Sequence, residues 1–279
     1  MLQFSKMHGL GNDFMVVDGI SQRFDVSKID LVSLANRATG IGFDQLLLVE
    51  PPTQKDTAFK YRIFNADGSE VSQCGNGARC FAKFVKDQGL IDLDDFWVET
   101  NTGRIRLSVL ADGQVRVNMG IPRFTPEYIP LQVEVEQARY AVEFEGDQLQ
   151  FSALEIGNPH AVFEVDTVAQ APINTLGPFL QSHALFPERV NVGFFERVSD
   201  IEINLRVFER GVGETRACGS GACAAVVAGH RLGLLSDQVQ VNLGGGSLLI
   251  EYAGEGEPVF LSGPATTVFR GKLETNFKS

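Results

Sequence analysis

Cysteine is scarce in this chain, with four residues among 279. That number is too small for a scaffold held together by disulfides, so we expect the four side chains to be thiols in a reducing compartment. The spacings Cys74-x5-Cys80 and Cys218-x4-Cys223 are not those of zinc sites, and no histidine pairs with them nearby. The sequence therefore predicts no metal site.

Positive charge and long apolar runs are also lacking. The net charge is −11, from 24 Lys and Arg against 35 Asp and Glu, which argues against a nucleic-acid partner because nucleic acid selects a basic face. No apolar run approaches the roughly 20 residues of a membrane-spanning helix. The N-terminus has no charged segment followed by an apolar one. We expect a cytoplasmic protein without membrane contact.

One short motif is present twice. The segments Glu70–Ala78 and Glu214–Ala222 both read Glu-x3-Cys-Gly-(Asn/Ser)-Gly-Ala, and each leads into an apolar helical pattern. A cysteine just before a helix is readily ionised, because the N-terminal end of a helix carries roughly half a positive charge. Cys74 and Cys218 are therefore the main candidates for chemistry.

Weaker matches extend the repeat upstream of the cysteines. Asn12 is matched by Asn158, and Gly42 by Gly193, in the same order and at similar offsets. This order predicts an internal duplication, with one active site in the cleft between two similar domains. We expect a first domain over residues 1–118 and a second domain over residues 119–262. The C-terminal segment, about residues 263–279, is a candidate to pack back onto the first domain.

Each half contains several short strands and one apolar helix, predicted from about Ala78 to Gln88 and from Ala222 to Arg231. The second helix is apolar on nearly all sides, which is typical of a buried helix. We expect an α/β (α+β) fold in which a curled, mainly antiparallel sheet wraps around each helix. A sandwich fits the strand pattern equally well. Apolar spacing also predicts a helix over Lys28–Ala38 and a strand over Leu131–Val135.

The two motif cysteines have four possible roles: packing thiols, a disulfide, metal ligands, or paired acid/base or nucleophilic thiols. Glycine-rich turns expose the residues they carry, which disfavours packing. A single nucleophilic thiol needs a histidine base, whereas removing a proton from one face of a carbon and returning one to the other needs two equivalent groups. The duplication favours the second chemistry, with one thiolate and one thiol that exchange roles in the reverse direction.

The predicted helix starts also offer backbone N–H groups, at Gly75, Asn76, Gly219 and Ser220. Such groups bind a carboxylate, and they stabilise the charge that develops on it as a neighbouring α-proton leaves. No Walker A, dinucleotide-binding or pyridoxal phosphate motif is present. We therefore expect a reaction without a cofactor.

Longer segments that span nearly the whole chain resemble one known family. They are Lys6–Phe14, Gly42–Gln45, Asn65–Glu70, Cys74–Cys80, Gly157–His160, Asn191–Phe194, Glu209–Thr215 and Ala217–Gly221. Together they resemble the diaminopimelate epimerases, a cofactor-independent family with two cysteines. The resemblance implies two pseudo-symmetric α/β domains and interconversion of LL- and meso-diaminopimelate in lysine and cell-wall precursor biosynthesis. The Cys-Gly-(Asn/Ser)-Gly unit also occurs in proline racemase-like enzymes, so a racemase or epimerase of another amino acid is the alternative.

The resemblance also implies roles for single residues. It implies that Cys74 and Cys218 are the acid/base pair, and that the thiol pKa values are tuned by His160 and Glu209. The residues implied to bind the α-carboxylate are Gly75, Asn76, Gly219 and Ser220, and those implied to contact the reacting end are Asn12 and Gln45. The residues implied to bind the distal amino acid group are Asn65, Asn158, Asn191, Glu209 and Arg210. The distal amino acid group is a zwitterion, so its carboxylate needs a cation and its ammonium group needs an anion. The adjacent Arg210 and Glu209 provide these two charges. A site that pairs both charges rejects substrates that lack them.

Less specific interpretations stay open for several residues. Asn12 and Asn158 also suit turns, and His160 also suits a hydrogen-bonded core imidazole. Cys80 and Cys223 are expected to be packing residues. A non-catalytic protein that only binds a ligand in the cleft is a further alternative.

The implied partners are a small-molecule substrate and a second copy of the chain. Phe269 stands where the family often has a tyrosine linked to dimer contacts. We therefore expect a homodimer, without a tyrosyl hydrogen bond at this position. The sequence leaves open which thiol is ionised at rest.

Overall fold

The computed structural model describes residues 1–71 and 74–274. It divides into two compact units. The first comprises Met1–Val117 and the described residues from Gly263 onward, and the second comprises Asn118–Ser262. Within the described ranges, no helix is both long enough and apolar enough to cross a membrane.

The secondary structure is mostly β. The strands up to residue 120 are β1 (Leu2–Gly9), β2 (Asn12–Asp18), β3 (Gln45–Glu50), β4 (Phe59–Asn65), β5 (Glu70–Val71), β6 (Asp95–Thr100), β7 (Gly103–Val109) and β8 (Val115–Gly120). The later strands are β9 (Tyr140–Phe144), β10 (Asp147–Glu155), β11 (Pro159–Glu164), β12 (Asn191–Arg197), β13 (Glu202–Glu209), β14 (Gly213–Thr215), β15 (Gln238–Leu243), β16 (Gly246–Glu251), β17 (Val259–Gly263) and β18 (Thr266–Leu273). The helices are α1 (Leu31–Ala35), α2 (Gly75–Asp87), α3 (Ile173–Ser182) and α4 (Gly219–Arg231), with 3₁₀ turns at Val26–Lys28 and Val168–Gln170.

In the first unit the sheet runs in the order β18-β1-β2-β3-β4-β6-β7-β8, and β5 forms a hairpin with β4. The pairs β2–β3 and β4–β6 are parallel, and the other pairs are antiparallel. Helix α2 packs against β1, β2, β3 and also β7, which lies towards the other end of the sheet. A sheet that touches one helix with strands from both of its ends must be curled around that helix.

The second unit repeats this topology. Its sheet runs β9-β10-β11-β12-β13-β15-β16-β17, with β14 paired to β13. The parallel pairs are again the third and the fifth, β11–β12 and β13–β15. Helix α4 packs against β10 to β13 and against β16, while α3 packs against β12, β13 and β14. The predicted fold class, two pseudo-symmetric mixed α/β units with curled sheets, is thereby confirmed, and the sandwich alternative was wrong.

Both central helices are buried because their side chains are small or apolar where they meet the sheet. In α2, Ala78, Phe81 and Val85 have no exposed surface, and in α4 the same holds for Ala224 and Val227. Apolar burial of this kind is the main favourable contribution to folding. It holds the first turn of each helix in place against the strands.

The helices begin earlier than the apolar pattern predicted. Helix α2 starts at Gly75 rather than Ala78, and α4 starts at Gly219 rather than Ala222. Glycine is a poor helix former in isolation, and the apolar pattern begins only after the Gly-x-Gly segments. Tertiary packing overrides that preference here.

Two elements differ from the sequence expectation. The region predicted as one helix over Lys28–Ala38 has no α-helix beyond the five residues of α1. Asp30 caps a new helix start there by accepting a hydrogen bond from the Ser33 N–H at 3.1 Å. Leu131–Val135 forms no strand, although Leu131 is buried. Its apolar residues contribute to the core of the second unit from a loop.

Candidate active site

Cys74 occupies the N-cap of α2. Its backbone is extended, at φ −146° and ψ 113°, and its sulfur accepts a hydrogen bond from the Gly77 N–H at 3.4 Å. The sulfur thus lies at the positive end of the helix, where a thiolate is stabilised. The side chain is half-buried.

Cys218 occupies the same position in the second unit. It is the N-cap of α4, at φ −119° and ψ 106°, and its sulfur accepts from the Gly221 N–H, also at 3.4 Å. The two motifs therefore fold alike, and each directs one sulfur towards its own helix start. Cys218 differs in its burial, since only 4% of its surface is exposed.

The second glycine of each motif lets the helix start approach a strand. A Cβ atom on Gly77 would lie 2.4 Å from the Tyr61 hydroxyl, and one on Gly221 would lie 2.8 Å from a methyl group of Val207. Real Cβ atoms do not come that close to a neighbour. Glycine is therefore required at both positions for the cysteine to cap its helix in place.

We expect Gly221→Ala to destabilise the protein by about 1–3 kcal/mol, because an added methyl group overpacks the contact with Val207. Turnover should also fall, since the same methyl group would lie 3.2 Å from the Cys218 sulfur. Urea unfolding and steady-state rates measure the two effects. Gly244→Ala is the matched control, because its Cβ would meet nothing closer than 3.8 Å; equal losses in both variants would contradict this explanation.

Amide groups surround Cys74 in the first unit. The Cys74 thiol donates to Asn12 Oδ1 at 3.7 Å, and Asn76 Nδ2 donates to the same oxygen at 3.2 Å. Two titratable neighbours on the helix side are neutral at ordinary pH. Burial raises the pKa of Tyr61 well above its usual range and raises that of Cys80 to about 12.

A carboxyl group adjoins Cys218 in the second unit. Glu209 interacts electrostatically with the Cys218 thiol, and its carboxyl group accepts a hydrogen bond from the Thr215 hydroxyl. Burial raises the pKa of Cys218 well above its usual range, and the negative charge of Glu209 adds to that effect. Burial also raises the pKa of Glu209 itself. Cys218 is therefore a protonated thiol in this arrangement.

His160 is fully buried on β11 and uses one ring nitrogen. Its Nε2 lies 2.8 Å from Asn158 Oδ1, which can only accept, so Nε2 carries the proton. Burial, followed by the positive charge of Arg210, lowers the pKa of His160 to about 3. Among the described residues its Nδ1 has no hydrogen-bond partner. The imidazole is neutral, and its described hydrogen bond is to Asn158 rather than to a cysteine.

Because the folded protein holds His160 in its neutral form, the free energy of unfolding should decrease as the pH is lowered. The unfolded state takes up a proton near pH 6.5 and the folded state only near pH 3, so the folded state loses stability as the pH falls through that window. Lowering the pH from 7 to 5 should destabilise the protein by about 2 kcal/mol through this residue. His160→Gln, which keeps a donor for Asn158, should lack this component in urea unfolding. An unchanged difference between the two pH values would show that His160 is not its source.

Asn191 and Arg210 are held together at strand ends. Asn191 Nδ2 donates to the Pro159 carbonyl at 2.9 Å, and its Oδ1 accepts from the Arg210 N–H at 2.8 Å. The Asn191 amide is thus already engaged with the backbone. The Arg210 guanidinium is exposed and donates to the Glu188 carbonyl at 3.2 Å, so it is accessible to a ligand.

Gln45 and Asn65 lie opposite each other on β3 and β4. Gln45 Nε2 donates to Asn65 Oδ1 at 2.9 Å, and Asn65 Nδ2 donates to Ser69 Oγ at 3.0 Å. The Gln45 Oε1 atom is buried and has no partner among the described residues. These two side chains were expected at opposite ends of a substrate, yet they touch each other in the structure.

Sequence reasoning missed three residues beside the cysteines. Arg79 is fully buried and donates to the Gly75 carbonyl at 3.3 Å, Tyr61 approaches Gly77 from β4, and Thr215 donates to Glu209. Only Arg79 left a signal in the sequence, since a charged residue stands inside an apolar helical pattern. Tyr61 and Thr215 are brought in by strand pairing.

Neither a metal cluster nor the aromatic cavity of the second unit marks the site in the described part of the chain. In the described ranges no group of three or more His, Cys, Asp or Glu side chains could hold a metal ion. A cavity in the second unit is lined by Phe151, Phe163 and Phe194, and neither Cys218 nor Glu209 lines it. The site is therefore defined by its polar side chains.

Comparison with known proteins decides the family. The family model for diaminopimelate epimerase matches residues 4–125 and 152–268. The chain belongs to the diaminopimelate epimerase family. The resemblance inferred from the sequence motifs is thereby confirmed.

Curated members of the family align over almost their full length. A diaminopimelate epimerase of Ectopseudomonas mendocina (strain ymp) is 55% identical over 273 residues, which is 98% of this chain and 99% of the relative. One from Thioalkalivibrio sulfidiphilus (strain HL-EbGR7) is 55% identical over 275 residues, with the same coverage of both chains.

Solved structures show the same fold at much lower identity. A probable proline racemase from Agrobacterium radiobacter K84 has a TM-score of 0.69 and 16% identity, and the match covers 99% of this chain and 94% of that one. A hydroxyproline epimerase from Agrobacterium vitis also has a TM-score of 0.69 with 16% identity, covering 97% and 91% of the two chains. At this identity the likeness concerns the fold alone.

Proposed function

We propose that this protein interconverts LL- and meso-diaminopimelate by moving a proton at one α-carbon between two cysteines, without pyridoxal phosphate. The observation that carries the proposal is the equivalent placement of Cys74 and Cys218, each capping the buried helix of its own unit, in a chain of the diaminopimelate epimerase family. The proline racemase-like alternative has only a likeness of fold in its favour.

In the proposed reaction one cysteine is a thiolate and the other a thiol. The thiolate removes the α-proton from one face of the carbon, and the thiol of the other cysteine delivers its proton to the opposite face. One C–H bond breaks and one forms, so the enzyme ends with the two protonation states exchanged. The reverse reaction uses the same groups in exchanged roles.

The helix starts have the groups needed to hold the α-carboxylate. The first backbone N–H groups of an α-helix have no acceptor within the helix, and in this chain they belong to Gly75, Asn76, Gly219 and Ser220. Their alignment favours an anion. As the α-proton leaves, negative charge spreads into the carboxylate, and hydrogen bonds to it strengthen.

The surroundings of Cys218 suit a proton donor. Its pKa is raised by burial and by Glu209, so it holds its proton until the carbanion forms. When the roles reverse, Glu209 is a carboxyl group whose charge acts on the Cys218 thiol. These contacts favour pKa tuning, rather than recognition of a distal ammonium group, as the role of Glu209. For His160 we retain a tuning role.

Recognition of the distal end is assigned to Arg210 and to amide side chains. The exposed Arg210 guanidinium suits the distal carboxylate. Asn65 and Asn158 are partly exposed polar residues near the ends of strands, and Asn191 positions the Arg210 backbone. Asn12 and Gln45 complete the set at the reacting end.

The proposal extends to a homodimer in the cytoplasm that serves lysine and cell-wall precursor biosynthesis. On β18, Val268 and Phe269 are 57% and 47% exposed, and Phe269 packs edge-on against Phe4. Two neighbouring exposed apolar side chains on a strand are typical of a surface through which two copies of a chain can associate. Sedimentation of Phe269→Lys against the unmodified protein tests this part.

Incubation of LL-diaminopimelate in D₂O tests the reaction itself. We expect one deuterium at the α-carbon of the meso product, and activity should return after unfolding, exhaustive dialysis and refolding without any added cofactor. Product formed without deuterium would exclude exchange through a solvent-linked thiol. A requirement for pyridoxal phosphate after refolding would exclude the cofactor-free mechanism.

A further inference from the structure

A continuous row of hydrogen bonds runs past Cys74 between two charged side chains. Arg79 Nη2 donates to Asn76 Oδ1 at 3.0 Å, Asn76 Nδ2 donates to Asn12 Oδ1 at 3.2 Å, and Asn12 Nδ2 donates to Asp44 Oδ2 at 3.0 Å. Every bond in this row has the same direction. The Cys74 sulfur lies beside the middle of it, 3.7 Å from Asn12 Oδ1.

The chemistry of the two ends sets that direction. A guanidinium can only donate and a carboxylate can only accept. Arg79 therefore requires the oxygen of Asn76, and Asp44 requires the nitrogen of Asn12. If either amide were reversed, two N–H groups or two oxygens would face each other. With both ends in place, Asn12 must present its oxygen to Cys74.

Both ends are themselves held by other contacts. Arg79 is fully buried and donates to the carbonyls of Gly75 and Pro264 at 3.3 and 3.1 Å. Asp44 accepts from Arg37 Nη2 at 2.8 Å and from the Asp13 N–H at 3.1 Å. The row is thus anchored outside the motif at each end.

The residues of the second motif provide no counterpart of this row. The position that matches Asn76 is Ser220, whose hydroxyl lies 3.6 Å from the Cys218 sulfur itself, and the position that matches Arg79 is Cys223. The two cysteines therefore have different neighbours although their helices begin alike. Any effect of this row of hydrogen bonds on a thiol therefore concerns Cys74 and not Cys218.

We propose that Arg79 and Asp44 are positioning residues of the epimerisation reaction, which together fix the Asn76 and Asn12 amides so that an oxygen faces the Cys74 sulfur. The inference rests on the proposed role of Cys74. An oxygen at this place accepts the S–H of the thiol, but it opposes the lone pairs of the thiolate. The row therefore favours protonated Cys74 and offsets part of the effect of the helix start.

Two titratable side chains of the same unit interact electrostatically with Cys74. They are Tyr61 on β4 and Cys80 on α2, and both stay neutral because burial raises the pKa of each. Neither neighbour therefore changes its charge near neutral pH, where the alkylation of Cys74 is followed.

Asp44→Asn is the informative variant, and Asp44 is accessible to change because 44% of its side chain is exposed. If the introduced amide kept its oxygen towards Arg37, its nitrogen would face Asn12 Nδ2, and Asn12 would have to turn. We expect the pH profile of Cys74 alkylation by iodoacetamide to move to lower pH by about half a unit to one unit. We also expect kcat to fall about tenfold with little change in KM.

The alkylation is measured on Cys74 by mass spectrometry, in a Cys218→Ala background. It needs no turnover, so its outcome is independent of whether the proposed reaction is correct. Asp95→Asn is the control, because Asp95 is 45% exposed and also accepts hydrogen bonds from an arginine, Arg106, in the same unit. That variant should leave the profile in place.

A double-mutant cycle with Arg79→Lys tests whether the two ends act through one row. If the two positions were independent, their effects on kcat would multiply in the double variant. If both act through one row, the kcat of the double variant should lie within about twofold of the kcat of the less active single variant. Asn76→Ala replaces Arg79→Lys if the latter does not fold. Multiplying effects, or an alkylation profile that Asp44→Asn leaves unmoved, would overturn the proposal.

Discussion

Cys74→Ala and Cys218→Ala each lower the epimerisation of LL-diaminopimelate by at least about 10³-fold, as expected when one of two proton carriers is removed. The sulfur of each cysteine accepts an N–H group of its helix at 3.4 Å, and loss of such a cap costs about 1 kcal/mol, so both variants should still fold. Rates of formation of the meso isomer, with circular dichroism to monitor folding, measure the effect.

The other two cysteines are the matched controls. Cys80 and Cys223 lie inside the same two helices with no exposed surface, so their replacement by alanine should affect stability rather than turnover. Retention of full activity in either Cys74→Ala or Cys218→Ala would rule out the two-thiol mechanism. An equal loss in all four variants would point to damage to the fold.

Arg210→Met should reduce kcat/KM for diaminopimelate by about 10²- to 10³-fold, since the distal carboxylate would lose a charged partner in the site. The variant should not unfold, because the guanidinium is exposed and its described contact is a single bond to the Glu188 carbonyl. The measurement is the ratio of kcat/KM for diaminopimelate to that for lysine, which is the same molecule without its distal carboxylate. The ratio should fall with the substitution.

Arg206→Met provides the control for this experiment. Arg206 lies on β13, the strand that ends one residue before Arg210, and its ion pair with Glu214 is partly exposed, so loss of that ion pair should cost at most about 1 kcal/mol of stability. If Arg210→Met and Arg206→Met changed the ratio of the two kcat/KM values equally, Arg210 would not be the residue that binds the distal carboxylate.

Much of the fold was predictable from local patterns. The two helices and most strands follow from apolar periodicity, and the repeated motif correctly indicated that the two units share one topology. Strand β1 was not predicted, because its central residues are buried on both faces, including Ser5 and Lys6, so the usual alternation is absent. The helix predicted over Lys28–Ala38 was wrong because two aspartates, Asp25 and Asp30, each cap a separate start.

The candidate residues were proposed from the sequence, but the contacts between them were not predictable from it. The pairing of Gln45 with Asn65 follows from strand register, which no local pattern specifies. The burial of Arg79 is also unexpected, because a lone arginine in a helix usually lies at the surface. Acceptors contributed by both distant and neighbouring residues make that burial favourable.

The sequence by itself determined the duplication and the placement of a cysteine at each helix start, because a helix cap depends on residues within four positions of it. Only the tertiary structure decided that an amide oxygen faces Cys74 and a carboxyl group faces Cys218. The first contact joins residues 62 positions apart, and strand pairing brings Glu209 to the start of α4. Electrostatic effects on a thiol depend on distance in space, so the difference between the two sulfurs appears only once the chain has folded.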